Sequence, residues 1–85
     1  MVYMSDELHT YILNILVLSD KPLPAERIRK LLKRIYGYET SWKEVASILR
    51  TSPYFVKVGV RHNKTALWTV KPEVRQLLFK PRGSR

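Results

Sequence analysis

Lys43, Ser47 and Arg50 are spaced i, i+4 and i+7, which gathers them on one face of a helix. Downstream lie Lys57, Arg61, His62 and Lys64, and between Glu44 and Glu73 the chain has no acid at all. Cations and a hydroxyl presented together, without carboxylates to neutralise them, suit phosphate oxygens, and Arg and Lys can also read the acceptor edge of guanine. That chemistry is recognition rather than bond-making. The residues of catalysis are missing: no Gly-rich phosphate loop, no His near a candidate nucleophile and no paired carboxylates in an apolar setting. The expectation is therefore a protein that is not an enzyme and needs no cofactor. His9 and His62 have no His, Cys or carboxylate at ligand spacing and the chain has no cysteine, so no metal is expected either.

The net charge of +9 is segregated. Residues 1–20 carry three acids and no Lys or Arg, a balance of −3; the rest hold all 16 basic residues against four acids, a balance of +12. Charge that served only solubility would be spread along the chain. A basic face set against a neutral or acidic back suits a polyanion. At 85 residues one domain is expected, and the 45% hydrophobic content argues against disorder. Acidic residues stand where a signal peptide needs positive charge, and Asn14 interrupts the longest apolar run, which is too short to span a bilayer. The expected location is cytoplasmic, nucleoid-associated in a prokaryote. With few amides and many Ile, Val, Tyr, Arg and Glu residues, the composition leans toward a thermophile.

The elements that must position the basic residues can be read in order. Ser5 is placed as the N-cap of a first helix, with Asp6 and Glu7 in its first turn and Leu8, Tyr11, Ile12, Ile15 and Leu16 as its apolar stripe. Leu23, between two prolines, is extended and could supply a very short strand. Pro24 suits the first position of a second helix whose inner stripe is Ile28, Leu31, Leu32 and Ile35, with Gly37 closing it. Arg27, Lys30 and Arg34 lie outside that stripe, one or two of them near phosphate and the rest solvated. Ser41-Trp42-Lys43-Glu44 is a capping box opening a third helix with Val45, Ile48 and Leu49 inside, and Trp42 reads as packed beside Val45, with stacking on a sugar or base as the alternative. Two β-rich runs, 54–60 and 65–70, flank the tip Arg61-His62-Asn63-Lys64, and imperfect alternation means either that both faces are partly covered or that a bulge sits near Gly59. Tyr36, Tyr38, Tyr54 and Phe55 read as core or caps on it, although aromatics beside Lys57 leave single-stranded nucleic acid open. Pro72-Glu73 opens a short final helix. Its Leu77, Leu78 and Phe79 either pack back on the first helix or form a homodimer seam, and 80–85 reads as a mobile basic tail.

Helix, short strand, helix, helix, hairpin is the order of a winged helix-turn-helix domain, and residues 5–71 resemble one. The pieces that carry the likeness are Pro22-Leu23-Pro24-Ala25-Glu26-Arg27-Ile28, Phe55-Val56-Lys57-Val58-Gly59 and Trp68-Thr69-Val70, a pattern similar to HARE-type helix-turn-helix modules. The chain departs from it where Pro24 replaces the usual Ser/Thr cap and where Thr40-Ser41 replaces a Thr-Pro opening. The resemblance implies a mainly α fold with a small β-hairpin (α+β): a three-helix core, a wing and a short C-terminal helix, as a single domain over 1–79. It also implies double-stranded DNA as partner, with the third helix in the major groove and the wing on the backbone. The resulting expectation is a transcriptional regulator or chromatin-type protein. The alternative is an accessory subunit docking a larger replication or transcription enzyme, since such folds serve both roles.

Overall fold

Apolar periodicity, caps and one bulge account for the order of elements. The computed structural model describes residues 5–79, and side chains within 7–77; the Ser5 cap, the side chains of Asp6, Leu78 and Phe79, and the basic tail lie outside what is described. The elements are α1 (Ser5–Leu18), α2 (Ala25–Tyr36), α3 (Trp42–Thr51), β1 (Phe55–Val60), β2 (Ala66–Val70) and α4 (Pro72–Phe79). The two strands form an antiparallel hairpin. The result is a small α+β fold, three helices followed by a hairpin and a C-terminal helix. No helix among the described residues is long and apolar enough to cross a membrane.

Leu8, Ile12, Ile15, Leu16 and Val17 of α1 pack with Ile28 and Leu32 of α2, Val45 and Leu49 of α3, and Phe55 and Val70 at the base of the hairpin. Tyr38 and Tyr36 grip Tyr11: one ring stacks on it at 4.0 Å (Tyr36) and the other meets it edge-on at 5.7 Å. The Tyr11 hydroxyl donates to Glu7 at 2.8 Å, and that bond, with burial, pushes its pKa above the ordinary phenol value.

Helix ends show where the sequence reading needs correction. Pro24 is the N-cap of α2 rather than its first residue: its backbone is extended (φ −79°, ψ 159°) and its carbonyl accepts the Ile28 N–H at 3.1 Å. Gly37 ends the helix as expected, at φ +66°, with its N–H and that of Tyr38 bonded back to Lys33 and Leu32 carbonyls. The capping box of α3 forms by half. Ser41 accepts the Glu44 N–H at 3.2 Å, but the Glu44 carboxylate accepts from the Thr40 hydroxyl. Ile35 is not part of the inner stripe. It is 59% exposed, as is Leu18 at 77%, because the C-terminal ends of α1 and α2 leave between them an open groove of about 320 Å³.

One tie joins the hairpin to the α1–α2 connection, and another joins α4 to α1. Leu23 and Trp68 exchange backbone hydrogen bonds, both 2.9 Å, so the segment between the prolines is indeed a one-residue strand on the open edge of β2. Arg75 of α4 donates to the carbonyls of Val17 (2.6 Å) and Leu16 (3.0 Å), satisfying the exposed end of α1 with a cation where the helix dipole favours one.

Two stability tests follow from these ends. Gly37→Ala meets no neighbouring atom within 4 Å, so its cost is that of the left-handed backbone alone, about 1–2 kcal/mol by urea unfolding. Arg75→Ala removes two charge-assisted bonds and should cost about 1.5–3 kcal/mol; a variant as stable as the parent would show that α4 is not latched.

Candidate nucleic-acid interface

The hairpin bulge arranges the basic surface. Counting outward from the loop, Val60 faces Ala66 and Gly59 faces Leu67, but Lys57, not Val58, faces Trp68. Val58 is the extra residue, 52% exposed and outside the ladder. One inserted residue therefore brings Lys57 beside the Trp68 ring, since cross-strand partners share a sheet face.

At the loop, Arg61 N–H bonds to the Thr65 carbonyl (2.9 Å) and Lys64 N–H to the Arg61 carbonyl (2.7 Å), leaving His62, Asn63 and Lys64 as a three-residue connection. Its last residue must turn left-handed. That residue is Lys64, at φ +68°, where Gly or Asn is the usual occupant. Asn63 Oδ1 accepts the Thr65 N–H at 3.2 Å and further fixes the turn.

Between this hairpin and α3 lies an open groove of about 690 Å³. Trp42, Ala46 and Arg50 line it from α3, Lys57 and Trp68 from the strands, and Lys64 from the loop. Both tryptophans of the chain thus stand in one groove with three cations. Trp42 is 51% exposed, contrary to its reading as packed beside Val45. As the first residue of α3 it projects off the flank that carries Ala46 and Arg50, away from the buried face of Val45 and Leu49. Lys43 Nζ lies 6.0 Å from its ring centroid. The acid on the rim, Glu26, is engaged by Arg29 at 2.6 Å, whose hydrogen bond holds that carboxyl below the usual carboxylate range.

The expected site residues divide into two sets. Lys43, Ser47 and Arg50 share the exposed face of α3, while Lys57, Arg61, His62 and Lys64 are exposed on the hairpin; of these, Arg50, Lys57 and Lys64 converge on the groove. Arg27, Lys30 and Arg34 are exposed on a different face of α2, and Arg27 lines the groove between α1 and α2 instead. Sequence reasoning missed Trp68 and, of its two readings of Trp42, favoured the packed one that the structure does not show. Trp42, Ala46 and Arg50 do repeat every four residues, a visible flank; the pairing of Lys57 with Trp68 depends on where the bulge falls. His9 shares a 2.8 Å hydrogen bond with Ser52 and packs on Tyr54 and Phe55, a structural setting. No group of three His, Cys, Asp or Glu that could hold a metal occurs among the described residues. No protein-family model matches this chain, and none of the curated proteins matches it.

The left-handed Lys64 allows a test in which stability and binding move in opposite directions. Lys64→Gly relieves the backbone and should hold or raise the melting temperature, while removing one groove cation should weaken binding to polyanions such as heparin. Loss of stability, or unchanged heparin retention, would contradict this account.

Proposed function

We propose that this is a winged-helix protein that binds double-stranded DNA, with α3 presented to a groove and the basic hairpin acting as a wing on the backbone, serving as a transcriptional regulator or chromatin-type protein in the cytoplasm. The observation that carries the reading is the convergence of Arg50, Lys57 and Lys64, from three different segments, on one groove beside an acid-free stretch of chain. Lys43 lies in the first turn of α3, the end that approaches base edges in helix-turn-helix docking, with Ser47 and Arg50 on the same face.

A second reading, an accessory subunit docking a larger replication or transcription enzyme, is supported by the exposed Leu18 and Ile35 beside the groove between α1 and α2. Leu77, 77% exposed, offers no cover to the core and would serve a homodimer seam instead. The two readings part on binding to random duplex across a salt series. A duplex binder shows a steep log–log dependence; a docking subunit binds duplex weakly and returns a stoichiometric partner.

Each phosphate contact adds about 0.9 to that slope, so replacing Arg61 and Lys64 by Ala should flatten it by up to about 2 on every duplex alike. An unchanged slope would remove the hairpin loop from the interface. On α3, Arg50→Ala or Lys43→Ala should cost about 1–3 kcal/mol of preference for a selected site if the side chain reads guanine. An equal loss on every sequence would mark phosphate contact only, and a selection from random DNA that enriches no motif would refute the regulator reading.

A further inference from the structure

The groove between α3 and the hairpin contains more than phosphate binding needs. A surface that only neutralises phosphates is served by solvated lysines and arginines. Here two tryptophans stand among the cations, one of them half-exposed at the start of a helix. Leaving an indole in water forgoes apolar burial. Trp68 packs from behind against the core and so presents a backed wall rather than a loose side chain. Lys64 lines the rim from the left-handed backbone conformation that the three-residue loop requires. The Glu26 carboxylate on the rim is already paired to Arg29, which leaves the three groove cations uncompensated by it.

We propose that this groove takes one unstacked nucleotide of DNA, its base against Trp42 and Trp68 and its flanking phosphates at Arg50, Lys57 and Lys64. The volume of about 690 Å³ lies within the range of about 300–1,000 Å³ typical of small-ligand sites. The chemistry matches in both halves. A base has an apolar face that stacks on indole whatever its identity, and its backbone is anionic on either side. An inorganic anion would use the cations and leave the indoles idle; an apolar ligand would do the reverse. The inference rests on the DNA-binding reading and deepens it: α3 and the hairpin loop hold duplex, and the groove between them holds an unpaired nucleotide at its end. A duplex bearing a single-stranded overhang is then the preferred ligand over a blunt one.

The test compares three DNAs labelled at the far end: a blunt duplex, the same duplex with a short deoxyadenosine overhang, and the same duplex with an abasic overhang that supplies phosphates without bases. Anisotropy gives the affinities. Because both tryptophans line the groove, intrinsic emission reports its occupancy directly. The deoxyadenosine overhang should tighten binding by about 5- to 150-fold over blunt duplex, the range expected for stacking one base, and should quench emission. The abasic overhang should tighten binding only by what its phosphates contribute at the three cations, well short of the deoxyadenosine overhang, and should leave emission unquenched. Trp42→Ala should lower the advantage of the deoxyadenosine overhang to that of the abasic one, and Trp42→Phe should retain part of the difference. Equal affinity for blunt and overhung duplex, or for the abasic and deoxyadenosine overhangs, would overturn the nucleotide site while leaving duplex binding intact. Failure to bind any of the three would overturn both.

Discussion

The pair of backbone hydrogen bonds between Leu23 and Trp68 is the constraint on which the arrangement turns. Leu23 sits between two prolines, in the connection that carries the chain from α1 to α2, and Trp68 is the centre of β2. A two-stranded hairpin alone is marginal in water. Joined through Leu23 to the start of α2, it becomes the edge of the helical core, with Phe55 and Val70 buried at its base. The same bridge sets Ala25 and Glu26, the opening of α2, along one end of the groove that α3 and the hairpin enclose. The prolines serve this geometry: neither can continue a helix through the connection, and Pro24 hands the chain to α2 as an extended N-cap.

Around that frame the charges are sorted by face. On α2, Arg29 and Lys33 are taken up by Glu26 and Glu39, both ion pairs exposed and screened, so they orient side chains more than they stabilise the fold. On α3 and the hairpin the cations have no such partners in sequence, because the stretch between Glu44 and Glu73 is free of acid. The cationic side of α2 that carries Arg27 borders a different groove, lined by Leu18, Leu31 and Ile35. The molecule therefore has two separate surfaces, one basic and aromatic, one apolar with a basic margin.

Local backbone choices tune the basic surface. The bulge at Val58 brings Lys57 beside Trp68, and the three-residue loop forces Lys64 into a conformation that glycine would adopt without strain. Each places a cation on the groove, and both stand on a strand pair whose base is anchored by the Lys71 N–H bonding to the Tyr54 carbonyl at 3.0 Å.

The order and type of elements were legible in the residues alone, because they follow from local physics: apolar stripes at helical period, Ser41 before α3, Gly37 after α2, a basic tip between two β-rich runs. The bulge near Gly59 and the one-residue strand at Leu23 could be anticipated for the same reason, since glycine and flanking prolines limit the backbone whatever surrounds them. So could the charge segregation and the shared face of Lys43, Ser47 and Arg50. Tertiary structure decided what local rules leave free. Whether Ile35 and Trp42 are buried depends on where neighbouring elements end, and both proved exposed. Whether Arg27 joins Arg50 depends on how α2 is rotated in the packed core, and it faces the other groove. The meeting of Trp42 and Trp68 across 25 intervening positions of chain needed the register of the hairpin and its bridge to Leu23, contacts between residues distant in sequence that no periodicity encodes.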